Sequence, residues 1–264
     1  MKIGIIGANG FIGGRLYRHF APKYSVTAIT RQTVDLLDFY QLQSYLIAHK
    51  FDCLILSAST MKNETSDLKN NLGIITNLLL NRSKFGKLIN LASGAEYDRQ
   101  RDINKFDETE LFNSIPIDYY GLSQNLRSRI CLSTPNFYNL RIFNCFGLNE
   151  IKTRIFPKFI LAENEFTIHD NRYFDYFSIQ DLAIVIDHYI SNDKIYKDIN
   201  CVYKEKYLIS EVLAKFKEIH QISTLINVSN TVSNNYTGDG TKLANMHLDI
   251  AGLEHGLKNY FNVD

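Results

Sequence analysis

Short, nearly continuous apolar runs separated by longer stretches of mixed polarity fill the first two thirds of the chain. The runs Lys2–Ile6, Val26–Thr30, Cys53–Ser57, Lys87–Leu91 and Phe137–Phe143 predict strands. They are rich in Ile, Leu and Val and do not alternate with polar residues, the pattern of strands buried on both faces. Between them, Gly13–Phe20, Phe39–His49, Asn71–Asn81 and Tyr119–Ser133 predict helices. Strand and helix in regular alternation imply an α/β fold: a parallel sheet wound with helices on both sides through right-handed crossovers. Beyond Gly147 the pattern loosens, with helices predicted at Arg154–Leu161, Ile179–Ile190, Leu208–His220 and His247–Phe261. That region reads as a small C-terminal lobe rather than a second independent core.

Composition narrows the functional classes. The chain has 264 residues, 45% hydrophobic and 22% charged, an ordinary globular balance that excludes wholesale disorder. With 29 Lys plus Arg against 28 Asp plus Glu, the net charge of +1 gives no reason to expect a nucleic-acid or anionic-membrane partner. No apolar run approaches the roughly 18 residues of a membrane span. Cys53, Cys131, Cys145 and Cys201 are scattered, in neither a disulfide framework nor a metal-ligand spacing. No signal-like leader precedes the first strand. The expectation is a soluble, cytoplasmic, reduced protein without a metal.

Gly7-Ala8-Asn9-Gly10-Phe11-Ile12-Gly13 follows the first strand and opens a helix. Gly7 allows a tight turn, Gly10 close approach of backbone to a pyrophosphate, and Gly13 close helix–sheet packing, while the N–H groups and dipole of the helix face the phosphates. The spacing is GxxGxxG rather than GxGxxG, but its place after an initial strand makes Gly7, Asn9, Gly10, Phe11, Ile12 and Gly13 a dinucleotide-binding loop. The fold class becomes a Rossmann-like doubly wound sheet. Residues 1–150 are then mainly the dinucleotide-binding domain, and 151–264 mainly a substrate-binding lobe with interleaved return elements. At the end of the second strand, Ala28-Ile29-Thr30-Arg31-Gln32-Thr33 carries no acid for the adenosine ribose. Arg31 is either the partner of a 2′-phosphate or a solvated strand-end arginine. NADP(H) is favoured, with NAD(H) as the alternative.

From end to end the chain resembles the extended short-chain dehydrogenase/reductase family, in its nucleotide-sugar epimerase, dehydratase and reductase branch. Besides the glycine loop, the resemblance is carried by Asn71-Leu72-Gly73 with Asn77-Leu78-Leu79, by Leu91-Ala92-Ser93-Gly94-Ala95-Glu96-Tyr97, and by Tyr120-Gly121-Leu122-Ser123-Gln124. It continues in Arg141-Ile142-Phe143-Asn144-Cys145-Phe146-Gly147, Asp175–Ala183 and Tyr236–Leu243. It implies a cofactor site that also takes in Asp35 and Leu36 beside the adenine, Ser57 and Ala58 after the third strand, Asn71, Tyr120 and Gln124. It implies catalysis by Ser93 and Tyr120, with Gln124 standing where the family has a lysine. It further implies a nucleotide-diphosphate sugar as substrate, contacted by Ser93, Glu96, Asn144, Arg154, Lys158 and Arg172.

The glutamine bears on direction. Gln124 can donate hydrogen bonds to a ribose but carries no charge to stabilise a tyrosinate. Alcohol oxidation needs a base, whereas ketone reduction can use neutral tyrosine as an acid. An NADPH-dependent reductase of a 4-keto-6-deoxy nucleotide sugar is favoured. An NAD-using epimerase and a catalytically silent nucleotide-sugar-binding homologue stay open. Where the family often has arginine before the Asp of its later motif, Phe174 precedes Asp175, and Arg172 sits two residues earlier. Glu96 is either a sugar contact or a surface-loop residue. Leu122, Leu126 and Ile130 form an apolar stripe at helical spacing, suited either to homodimer pairing or to packing on the sheet.

Overall fold

In the computed structural model, residues 1–193, 195–229, 231 and 233–262 are described. The elements run β1 (Lys2–Ile6), α1 (Phe11–Phe20), β2 (Ser25–Ile29), α2 (Phe39–His49), β3 (Cys53–Leu56), α3 (Thr65–Leu80), β4 (Lys87–Ser93), β5 (Ile103–Phe106), α4 (Tyr119–Ser133) and β6 (Phe137–Ile142). There follow β7 (Cys145–Phe146), α5 (Ile155–Ile160), β8 (Glu165–Ile168), β9 (Phe177–Ser178), α6 (Ile179–Ser191), β10 (Asp198–Cys201), α7 (Ile209–Ile219), β11 (Leu225–Val228), β12 (Tyr236–Gly238), α8 (Thr241–Ala244) and α9 (Leu253–Lys258). Two compact units result, each assembled from separated segments. The first comprises 1–98, 108–142 and 186–199; the second comprises 99–107, 143–185 and 200–264.

The first unit holds a six-stranded sheet in the order β2-β1-β3-β4-β6-β10. The β1–β2, β1–β3, β3–β4 and β4–β6 pairs are all parallel. The chain steps outward from β1 to β2 and then restarts at β3 on the other side of β1, so the strand order reverses there. One face packs against α2 and α3 through Leu42, Leu46, Ile75 and Leu78, with Ile6, Leu54, Leu56 and Leu88 from the strands. Each such side chain stabilises the fold by about 1.5–3 kcal/mol relative to exposure. Ile3 and Ile5 project from the opposite face and are equally buried. Tyr24, just after α1, donates its hydroxyl to Asp187 of α6 at 2.6 Å.

α3 starts six residues earlier than the apolar pattern indicates. The buried carboxylate of Asp67, in its first turn, accepts the N–H groups of Lys62 and Asn63 (2.9 and 2.7 Å) and so organises the preceding loop.

The second unit is built from short parallel pairs: β5 with β12, β7 with β9, and β8 with β11. Its core is aromatic. The Phe156 ring lies 4.9–5.4 Å from those of Phe146, Tyr176, Phe216 and Tyr260. The helix predicted over His247–Phe261 shrinks to α9. Gly252, with φ +90°, breaks the continuity, and the Asp181 carboxylate accepts the N–H groups of Ala251 and Gly252 at 2.9 and 3.1 Å. Among the described residues no helix is long and apolar enough to cross a membrane.

Candidate active site

Where the strand order reverses, the β1–α1 loop and the end of β3 meet. Gly7 adopts φ +87°, and its N–H donates to the Ile29 carbonyl at 2.9 Å. The Ser57 hydroxyl donates to the Ile6 carbonyl at 2.8 Å. A side chain at Gly13 would place its Cβ 2.3 Å from the Gly7 carbonyl oxygen and 2.5 Å from Ser57 Oγ. Only glycine permits this contact between α1 and the loop. α1 begins at Phe11, so the N–H groups of Ile12 and Gly13 lie in its first turn and lack intrahelical acceptors.

Beside this turn lies a cavity of about 400 Å³. Its walls include Gly7, Asn9, Gly10, Arg31, Leu36, Ser57 and Ala58, all expected from the sequence, together with Thr30, Gln32, Ser59 and Thr60, which were not. Asp35 is outside the lining, and its carboxylate accepts the Leu37 N–H at 2.9 Å. Asn71 is fully buried: Oδ1 accepts the Thr60 N–H at 2.8 Å, and Nδ2 donates to the Thr60 carbonyl (3.0 Å) and Ser123 Oγ (2.9 Å). It positions Thr60 in the wall and does not itself line the cavity.

Ser93 ends β4, and its hydroxyl accepts the Ala95 N–H at 3.2 Å. Tyr120 is in the first turn of α4, where Asp118 caps the helix by accepting the Gly121 N–H at 2.8 Å. Gly121 presses on the same segment as Ser93, since a Cβ there would lie 2.5 Å from the Ala95 carbonyl oxygen. The tyrosine-bearing turn is thereby docked against the serine-bearing strand end. One turn on, Gln124 is 1% exposed and its Nε2 has no hydrogen-bond partner. A buried amide donor left open on the face that follows Tyr120 is suited to a ligand hydroxyl. With the glycine cradle and the open first turn of α1, these residues fit a nicotinamide dinucleotide.

Arg127 is a member of the site's support that the sequence did not disclose. It is fully buried on α4 and donates to the Leu56 carbonyl (3.2 Å), the Ala58 carbonyl (3.0 Å) and Asn90 Oδ1 (2.5 Å). Burial lowers its pKa from the usual arginine value. It fixes the backbone of Ala58, which lines the cavity.

Glu96 is corrected on both readings. It is neither a sugar contact nor a surface residue: it is 0% exposed and ion-paired with Arg141, which also meets Asp198 at 3.0 Å. Burial pushes the Glu96 carboxyl up and the Arg141 guanidinium pulls it down. The two carboxylates in turn hold Arg141 charged. This network ties the turn after β4 to β6 and β10, with Ser128 of α4 also donating to Glu96.

In the second unit, Asn144, Arg154, Lys158 and Arg172 line one cavity of about 370 Å³, and Glu150, His169, Phe174 and Tyr176 line it too. Arg154 donates to Asn144 Oδ1 at 3.1 Å and to the Cys145 carbonyl. Arg172 donates to the Asn234 carbonyl at 3.1 Å and lies 5.4 Å over the Phe174 ring, and its Nε is buried without a hydrogen-bond partner. Three cations around one hollow, with an aromatic floor, suit an anionic ligand that carries a planar group.

Sheet order, parallel pairing and glycine loop are those of a Rossmann-type protein. Residues 3–201 match the family model described as the NAD dependent epimerase/dehydratase family, and the chain belongs to that family. No curated protein matches the sequence. Among solved structures it is similar to a dTDP-4-dehydrorhamnose reductase ortholog from Clostridium acetobutylicum, at 17% identity and TM-score 0.86, with 98% of each chain covered. It is also similar to a GDP-D-glycero-L-gluco-heptose synthase from Campylobacter jejuni solved with NADPH, at 19% identity and TM-score 0.83, covering 98% of this chain and 97% of that one. A third likeness is to a UDP-glucuronic acid 4-epimerase from Bacillus cereus bound to NAD, at 19% identity and TM-score 0.79, with 98% of each chain covered.

Proposed function

We propose that the protein reduces a 4-keto-6-deoxy nucleotide sugar with NADPH. The observation that carries this reading is the docking of α4 on the end of β4 through Gly121, which puts Tyr120 beside the Ser93 segment with an uncharged, open amide one turn later. Bound NADPH supplies the hydride. Ser93 hydrogen-bonds the ketone oxygen and Tyr120, neutral, gives its proton to that oxygen as it becomes an alcohol. Gln124 Nε2 donates to the nicotinamide ribose. Arg31, in the wall of the first cavity, pairs with the 2′-phosphate and favours NADP over NAD. In the second unit Arg154, Lys158 and Arg172 hold the diphosphate.

The relatives named above include a reductase and an enzyme solved with NADPH, which supports the direction, and an epimerase, which keeps the runner-up in view. Incubating the purified protein with NADPH and a panel of nucleotide 4-keto sugars is expected to oxidise the cofactor in step with formation of the alcohol. Isomer formation without net cofactor oxidation would move the reading to an epimerase. Binding of both ligands without turnover, in the wild type and in Gln124→Lys alike, would leave a catalytically silent homologue.

A further inference from the structure

Glu150 is a buried acid in a cavity that also gathers three cations. It lines the second-unit cavity with Arg154, Lys158 and Arg172, is only 7% exposed, and belongs to no part of the mechanism above. Its Oε1 accepts the Tyr260 hydroxyl at 2.8 Å, and its Oε2 stands 3.7 Å from Arg154 Nη1. Arg154 is therefore shared between a carboxylate and the ligand space. A diphosphate entering the cavity competes with Glu150 for that guanidinium and brings its own negative charge close to a buried carboxylate.

We infer that Glu150 is the residue that governs how this cavity accepts an anion: it takes up a proton as the diphosphate of a nucleotide sugar binds, releases Arg154 to the phosphates, and remains hydrogen-bonded to Tyr260. The inference rests on the nucleotide-sugar reading of the cavity and adds a proton to its binding reaction. The electrostatics agree. Burial pushes the Glu150 carboxyl up to about 7, against the pull of Tyr260 and Arg154, so a modest further push from an incoming anion suffices to protonate it near neutral pH. Tyr260 and Tyr176, both raised by burial and by Glu150 itself, stay protonated throughout. Arg154, Arg172 and Lys158 are the cations of the same wall, and His169 and Asp170 lie on its exposed part. His169 is a second ionisable side chain on this wall, so the test must separate its contribution from that of Glu150.

UDP-glucose, GDP-mannose and dTDP-glucose serve as probes, because their esterified diphosphates keep a fixed charge from pH 6 to 9. Titration calorimetry of the wild-type protein at pH 7.5, in buffers of different ionisation enthalpy, is expected to show net uptake of up to about three quarters of a proton for whichever probe binds, since Glu150 is already about one quarter protonated there. Affinity is expected to fall by up to tenfold per pH unit above pH 7. Glu150→Gln keeps an acceptor for Tyr260 and removes the ionisable group, so it is expected to abolish the uptake, flatten the pH dependence and bind several-fold more tightly than wild type at pH 8.5. Binding without proton uptake, or uptake that persists in Glu150→Gln and disappears in His169→Gln, would overturn the role of Glu150 while leaving the nucleotide-sugar site intact. Failure of every probe to bind to wild type and variant at any pH would overturn the reading of the cavity and this inference with it.

Discussion

Tyr120 and Glu96 show how differently two residues of neighbouring motifs are used. Tyr120 stands at the open start of α4, and the proposed chemistry asks it for one proton. Tyr120→Phe should therefore lower turnover of the correct keto sugar by about a hundredfold or more, the usual size of an acid–base contribution, while nucleotide affinity is retained. Steady-state kinetics together with direct binding checks this, and equal turnover by the variant would remove Tyr120 from the mechanism. Glu96 does its work out of reach of any ligand. Its ion pair with Arg141 is buried on both sides, and Ser128 also donates to it at 2.5 Å. Removing one partner of a buried pair leaves the other charge poorly compensated. Glu96→Gln is therefore expected to lose on the order of 3 kcal/mol in equilibrium denaturation, an estimate at the low end because Asp198 still faces Arg141. A loss below about 1 kcal/mol would show that Asp198 alone satisfies the guanidinium.

Among the elements, the β1–α1 turn carries the sharpest steric demand. Gly13 leaves no space for a methyl group, because the atoms it would strike are the backbone carbonyl of Gly7 and the hydroxyl that ties Ser57 to β1. Gly13→Ala should push α1 off the loop and weaken NADP binding at least tenfold, as a fluorescence titration would show. Unchanged affinity would mean that the first turn of α1 does not cradle the phosphates. The same turn was readable from the sequence, because glycine spacing and an adjoining apolar run are local signals. The five strands and α2 were equally legible, each being one unbroken block of a single character. What escaped the reading depends on which side chains gather loop N–H groups, whether nearby or far along the chain. The start of α3 is set by Asp67 gathering loop N–H groups, and the limit of α9 by Asp181, some seventy residues earlier in the chain. The strands of the second unit are two to four residues long, too short for any period to show. At the site, Asn144, Arg154, Lys158 and Arg172 could be gathered from the family resemblance. Glu96, Glu150 and Arg127 could not be read correctly, since a charged residue shows its burial only once the sheet beneath it exists.

On the scale of the whole molecule, two properties follow from what is exposed and what is buried. On α4 the apolar stripe divides: Ile130 packs partly against the core of the first unit, whereas Leu126 is 37% exposed. Ile115, Ile117 and Tyr119, just ahead of the helix, are exposed as well. If copies of the chain pair through this surface, Leu126→Lys should shift sedimentation from dimer to monomer without loss of helix content, and a wild-type monomer at tens of micromolar would exclude the pairing. The second property is the dependence of stability on pH. In the second unit, burial lifts Asp175 to about 6, with Lys206 pulling it down from 2.7 Å, and lifts Glu150 to about 7. Both folded values exceed those of the free side chains, so the folded protein holds protons that the unfolded chain has already released. Their contribution is then complete below about pH 4 and is lost as pH rises through 6 and 7. Between pH 5.5 and 8.5 the urea midpoint should fall. For Glu150 alone, a rise from 4.5 to about 7 corresponds to about 3 kcal/mol in all, of which about 2 kcal/mol is lost within this window. In Glu150→Gln the fall should shrink by that share, and the variant should be more stable than wild type at pH 8.5 and nearly equal to it at pH 5. A wild-type midpoint that rises with pH across this window would mean that the two carboxyls are more comfortable charged than their burial implies.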